Sequence, residues 1–218
     1  MRPIYVVFQN GISEYQRRAV LNGIRIVLDA IQVNVQVKPF GVWRDKNWLL
    51  PNGELAPHMS VDWYVKVGQE RSQKSGQLHA GAISDVLLDD PWQKAEPHWD
   101  VTVFRTDLYD EGCNFVLGEA RFNHQCLVSV HRFLDFPDEV QFECIETTVA
   151  HELGHVFGLV YKNRNDGTIE ESLGSHCTNR CIMRQRLTAP GWIELSRDRL
   201  RYGPFCRTCL EELHQFFQ

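Results

Sequence analysis

His151-Glu152-Leu153-Gly154-His155-Val156-Phe157-Gly158 is the stretch from which the rest of the chain can be read. It spells H-E-x-x-H-x-x-G and follows Glu146-Thr147-Thr148-Val149-Ala150, a run with helical character. Residues four apart on a helix stack on one face a turn apart, so His151 and His155 can present two imidazoles to one metal ion. Glu152 projects from nearly the same edge and can hold a water without ligating the ion, which is the working surface of a zinc hydrolase. The competing reading is a chance match, with two histidines decorating the polar face of an amphipathic helix. Gly158, three residues after His155, can turn the chain sharply and equally reads as a plain helix C-cap.

Composition narrows the class. At 218 residues the chain is long enough to bury a substantial core in one large domain. Apolar residues at 43% and charged residues at 23% fit a globular protein rather than a disordered or fibrous one. A net charge of -5 gives no basic footprint for nucleic acid or an anionic membrane surface. No apolar run approaches a spanning helix, and Ile4 to Phe8 is too short for a signal-peptide core, so a cytoplasmic protein is expected. Seven cysteines in a reducing compartment then point to metal binding or free thiols rather than a disulfide framework.

Taken in order, 4–8 reads as a buried strand closed by Asn10-Gly11, and Ser13 caps a helix running to about 29–31. Residues 33–37 alternate with period two and read as a strand stopped by Pro39. Between 41 and 76 the signal is weak, broken at Pro51-Asn52-Gly53 and Pro57, with a strand suggested at 61–67. Residues 75–88 read as a helix striped by Leu78, Ala82, Ile83, Val86 and Leu87, and 92–97 as linker. Strands are expected at 100–106, 114–120 and 126–133, followed by a long helix over 138–158. The organisation is sheet first, metal helix next, then a cysteine-rich tail, an α+β (mixed α/β) pattern without internal repeats.

A catalytic zinc takes three protein ligands and a water. The third ligand is sought after Gly158, but residues 161–175 are polar and contain Asn165-Asp166-Gly167, so they read as a surface insertion. His176 follows it and is the preferred ligand, with Tyr161, Glu170 and Glu171 as competitors. His176 stands among paired cysteines: Cys177 and Cys181 form C-x3-C, and Cys206 and Cys209 form C-x2-C. Two such pairs make a closed tetrahedral zinc site, against the alternatives of free thiols or a redox pair at Cys206 and Cys209. Cys113, Cys126 and Cys144 are isolated and read as buried thiols.

Taken together, His151, Glu152, His155, Gly158, His176, Cys177, Cys181, Met183, Cys206 and Cys209 resemble the archaemetzincins, a family of the metzincin clan. The likeness extends upstream through Thr106-Asp107-Leu108-Tyr109, Phe115 to Ala120 and Val128-Ser129-Val130-His131-Arg132. It departs from the family in the insertion before His176, in the shorter spacing of Cys177 and Cys181, and in the longer stretch from Met183 to Cys206. The resemblance implies a zincin-like fold: a twisted mixed sheet with packed helices, an active-site helix, a Met-turn at Met183 and a small zinc-stapled C-terminal part. Residues 1–218 would form one catalytic domain, with 1–158 carrying the sheet and active-site helix and 159–218 the rest.

The resemblance further implies a metallopeptidase with two zinc ions, one catalytic at His151, His155 and His176 and one structural at the four cysteines. Glu152 would be the general base, and Met183 an apolar floor beneath the imidazoles rather than a ligand. Similar enzymes dock an extended substrate along an edge strand, for which Phe115, Val116, Leu117, Gly118 and Glu119 are the candidates; otherwise they are simply part of a sheet. The expected partners are peptide or protein substrates, with no nucleic acid and no membrane, and a monomer is favoured. The competing hypothesis is a catalytically inactive, zinc-stabilised peptide-binding protein of the same fold. Retention of Glu152 favours the enzyme, since a binding module has no need of a base beside its ligands.

Overall fold

Ile4-Tyr5-Val6-Val7-Phe8 is apolar throughout, and all five residues are buried in strand β1 (Ile4–Phe8). A strand buried on both faces belongs in a covered parallel sheet. Accordingly β1 pairs in parallel with β2 (Val37–Pro39) on one side and β4 (Trp99–Phe104) on the other. Strand β4 pairs in parallel with β7 (Gln125–Ser129), and β7 pairs antiparallel with β6 (Gly118–Arg121). The resulting five-stranded mixed sheet has the order β2-β1-β4-β7-β6.

The computed structural model describes residues 1–40, 61–161, 164, 167–171 and 173–218, with backbone only at 91 and 92. The chain forms two compact units, Met1–Ser13 with Val35–Arg132 and Glu14–Asn34 with Phe133–Gln218. The first holds the sheet together with α2 (Val61–Glu70), a small pair of strands β3 (Gln77–His79) and β5 (Asp107–Tyr109), α3 (Ala80–Leu88) and α4 (Pro91–Ala95). Its core gathers Val7, Tyr64, Leu78, Ile83, Leu87, Phe104, Leu108 and Leu127.

Several expectations are corrected here. The strand expected at 61–67 is helix α2, with Val61, Tyr64 and Gly68 buried at helical spacing. The valines favour a strand locally, but propensities differ by only about 0.5 kcal/mol per residue, whereas burying one large side chain contributes roughly 1.5–3 kcal/mol. The strand expected at 33–37 begins only at Val37, because a turn at Gln32, in left-handed conformation with φ 55°, follows the first helix. Pro39 is accommodated because β2 is an edge strand of the sheet among the described residues. The helix expected from 75 starts at Ala80: residues 77–79 pair with β5, and His79 Nδ1 caps the helix by accepting the Ala82 N–H at 3.1 Å. The linker expected at 92–97 is largely α4. The strand expected over 114–120 is regular only from Gly118, and that over 126–133 closes at Ser129 before a 3-10 turn. Breaks expected at 51–53 and 57 lie outside the described residues.

The second unit contains α1 (Glu14–Ala30), α5 (Asp138–Val156), α6 (Ala189–Tyr202), α7 (Arg207–Phe216) and a hairpin of β8 (Ile169–Glu171) and β9 (Ser175–Cys177). Helix α5, expected at 138–158, ends two residues early. It is buried on nearly all sides from Cys144 to Gly154. Thr147 and Thr148 fit that setting by donating to the carbonyls of Glu143 and Cys144 at 2.7 and 2.8 Å. Helix α1 crosses α5 closely at Gly23, where a Cβ would stand 2.7 Å from the Glu146 carbonyl oxygen. Glu146 accepts from Asn22 at 3.1 Å and pairs with Arg199 of α6 at 2.7 Å, joining three helices through one carboxylate. Thr188 caps α6 and Cys206 stands at the N-cap of α7, two helices beyond the sequence reading above.

Candidate active site and metal centres

Helix α5 delivers His151 and His155 from its last turns, both on one side as their spacing requires. Their Nε2 atoms stand 3.2 Å apart. His176 reaches them from β9, its ring stacked 5.3 Å from that of His151 and edge-on at 5.1 Å to His155. One nitrogen of each of the three rings lies within 4.8 Å of the other two. The rings are oriented by main-chain groups: His151 Nδ1 contacts the Ile182 carbonyl at 2.7 Å, His155 bonds the backbone of Leu159, and His176 Nδ1 contacts the Gly174 carbonyl at 3.2 Å. Donation from Nδ1 to those carbonyls at His151 and His176 leaves an Nε2 lone pair for a metal.

Burial, and then the charges that His155 and His176 would carry, hold His151 well below the usual imidazole range. Burial followed by His176 brings His155 down to about 3. These two rings are therefore neutral near pH 7, the form that ligates metal. Two lone pairs facing each other at 3.2 Å are the donor set a cation would relieve. The residues fit zinc.

The chain leaves α5 by the turn its sequence promised. Gly158 has φ 79°, a left-handed conformation that glycine adopts freely. It does not carry the third histidine directly. The segment expected to be a surface insertion is in part a hairpin, β8–β9, turned at Leu173 and Gly174 and presenting His176 on its second strand. Within the same segment the Arg164 side chain is only 2% exposed.

Met183 is fully buried and lies against Gly154, where an added Cβ would meet its Sδ at 2.6 Å. The second variable position of H-E-x-x-H is thus a glycine for a packing reason. Met183 also accepts the Cys177 N–H through its carbonyl at 2.8 Å, tying the methionine turn to the hairpin. Trp192 of α6 was not signalled by any spacing. It is 2% exposed, stands edge-on 5.2 Å from the His151 ring, and donates Nε1–H to the Arg186 carbonyl at 3.0 Å. Glu152 is buried on α5 beside His151.

Cys177, Cys181, Cys206 and Cys209 form a second cluster, their sulfurs within 4.8 Å of one another. Cys177 is lowered to about 7, chiefly by its hydrogen bond with Cys181, and Cys206 is pushed down further by the other three thiols. Cys177 and then Cys206 push Cys181 up, and Cys177, Cys181 and Cys206 push Cys209 up. Four sulfurs this close cannot all ionise without a cation among them, which is the donor set of a tetrahedral zinc site.

The sequence model of peptidase family M54 matches residues 1–215. The chain belongs to peptidase family M54. It is accordingly a zinc metallopeptidase, related to the archaemetzincins. The archaemetzincin of Methanopyrus kandleri is 33% identical over 146 residues, covering 66% of this chain and 70% of that protein. The Thermococcus kodakarensis archaemetzincin is 40% identical over 91 residues, 38% of this chain and 41% of its own. The crystal structure of the M. kandleri protein superposes with a TM-score of 0.67 at 26% identity, covering 99% of this chain and 95% of that one. An Archaeoglobus fulgidus archaemetzincin, crystallised with malonate, shares the fold at 20% identity and a TM-score of 0.56, over 96% of this chain and 99% of its own.

The remaining M54 candidates, 115–119, belong to the first unit. The Val116 N–H donates to the Leu108 carbonyl at 2.9 Å, the Leu117 carbonyl accepts the Ser129 N–H at 2.8 Å, and the Arg132 guanidinium lies 4.4 Å over the Phe115 ring. Gly118 and Glu119 stand on β6, which ends the sheet. Glu119 pairs with Arg121 at 3.0 Å, and burial raises its carboxyl above the usual range. Among the described residues no helix is long and apolar enough to cross a membrane.

Proposed function

We propose that this chain hydrolyses peptide bonds with Glu152 as general base, a catalytic zinc on His151, His155 and His176, and a structural zinc on Cys177, Cys181, Cys206 and Cys209. The convergence of three imidazoles on the helix that carries Glu152 supports this reading above all other observations. Bound zinc supplies Lewis-acid polarisation of the scissile carbonyl and acidifies the attacking water. Glu152 takes the proton of that water and returns it to the leaving amine nitrogen. Trp192 packs edge-on against the His151 ring, and Met183 packs against α5 at Gly154, between the two histidines. An extended peptide substrate would add as a strand at 115–119, next to β6, which is the last strand of the sheet among the described residues. The setting is cytoplasmic, which seven cysteines without a disulfide favour.

Cleavage of a diverse peptide library tests this. Glu152→Gln should lower kcat/KM by about 10²- to 10⁴-fold while zinc content and thermal stability stay at wild-type values. Identical cleavage by both proteins would remove Glu152 from the chemistry, and none by either would leave a zinc-stabilised peptide-binding protein.

A further inference from the structure

Arg164 lies inside the segment that, from sequence, read as a solvent-exposed insertion, yet its side chain is 2% exposed. A guanidinium has five N–H donors in a fixed plane. Here each has an acceptor. Nε donates to Glu212 Oε1 at 2.9 Å and Nη2 to Glu212 Oε2, forming a two-pronged ion pair. Nη2 also donates to Cys209 Sγ at 3.1 Å, and Nη1 to Cys177 Sγ at 3.2 Å. Nη1 reaches Thr168 as well, at 3.3 Å to Oγ1. Glu212 in turn accepts the Val160 N–H at 2.9 Å, in the turn that follows α5. Val160 is β-branched with φ 59°, a conformation that persists only where its surroundings enforce it.

The charge balance gives this arrangement its purpose. Four thiolates around a divalent ion leave two negative charges in excess, and Cys177, Cys181 and Cys209 are buried. An uncompensated buried charge is costly, and a cation donating hydrogen bonds to sulfur is the direct remedy. The two sulfurs that Arg164 touches come one from each cysteine pair, Cys177 and Cys209.

We propose that Arg164 is the positioning residue of the cysteine site, clamping one sulfur from each pair and neutralising the excess thiolate charge while Glu212 fixes the clamp to the turn at Val160. The inference rests on the cysteines being a metal site, as proposed above. Lysine cannot replace it, since three donors on a flexible stem cannot span two sulfurs and both oxygens of a carboxylate.

The test uses full-length protein loaded with cobalt(II), whose sulfur-to-metal absorption arises at the thiolates and not at the histidines. Challenged with EDTA, Arg164→Met should lose that band about 10 to 100 times faster than wild type. Its band should also move to longer wavelength, because sulfur freed of N–H donors gives up an electron more easily, a shift that general loosening of the fold would not produce. Arg164→Lys should likewise release metal faster than wild type. A wild-type rate and band position in Arg164→Met overturn the proposal, as does full rescue by lysine, which decides alone if the methionine variant does not fold. Wild-type protein that shows no sulfur band at all overturns the cysteine site, and this inference with it, while leaving the peptidase assay above to be read separately.

Discussion

The histidine cluster and the cysteine cluster lie in the same unit and are built on opposite footings. Two of the three histidines sit on one 19-residue helix that is gripped by α1 at Gly23 and by Met183 at Gly154. Their orientation comes from backbone carbonyls that exist whether or not metal is bound. The cysteines share no single helix. Cys177 ends a three-residue strand, Cys181 sits in the following turn, and Cys206 and Cys209 occupy the start of α7. A site carried by a helix is pre-organised and its metal is an addition; a site that gathers chain ends makes metal binding part of folding.

That difference sets the largest expected effect. Cys206→Ala should lose the metal of the cysteine site and, with it, the ordered C-terminal part, lowering the thermal midpoint by 10 °C or more at roughly 2–4 °C per kcal/mol for a chain of this size. Elemental analysis beside a thermal melt reads both. An unchanged midpoint with full zinc would break the comparison, because the cysteines would then be passengers on a fold that needs no staple.

What the sequence made legible follows the same division. The helix of 138–158 was readable because the four-residue spacing of its two histidines is a local signal, and Gly158 announced its own turn. The closeness of the four cysteines was readable within each pair, because a two- or three-residue gap is a short-range signal that occurs twice. Arg164 was not, since a lone arginine in a polar stretch carries no sign that its partners lie 13 and 45 residues away. Trp192 was missed for the same reason. Helix α2 was misread because Tyr64 and Val61 take their structure from the core they enter, not from the valines beside them. The region 115–117 was read as strand from its apolar run, but only residues from Gly118 pair continuously with β7.

A smaller effect is expected where the two clusters meet through Met183. Gly154→Ala places a methyl group against the buried thioether. Overpacking costs about 1–3 kcal/mol, and the better helix propensity of alanine returns about 0.5–1 kcal/mol, so a net loss of about 1–2 kcal/mol is expected. Combining it with Met183→Ala makes room for the methyl, and the double variant should lose less than the sum of the single losses. Simple additivity in a thermal or urea series would mean that Met183 does not press on the helix, and the platform beneath the histidines would need another explanation.

The smallest effect on folding should come from His176→Ala, although it removes the proposed third ligand. The ring is buried, yet it stands on a hairpin whose strands pair without it, so the midpoint should fall by only a few degrees, or about 1 kcal/mol. Zinc at the histidine site should be lost while the cysteine site keeps its own, whereas Cys206→Ala should disturb both, because His176 and the Ile182 carbonyl that orients His151 stand beside the cysteines. The register of the hairpin supplies a specific way for this to fail. Glu170 is paired directly opposite His176, and residues opposite one another in an antiparallel pair project from the same face. A carboxylate in that position could take the place of the imidazole, and Glu170 was already a candidate from sequence. Zinc retained in His176→Ala but lost in His176→Ala/Glu170→Ala would assign the third ligand to the hairpin as a pair rather than to the histidine alone. Zinc retained in both would remove the hairpin from the metal site altogether.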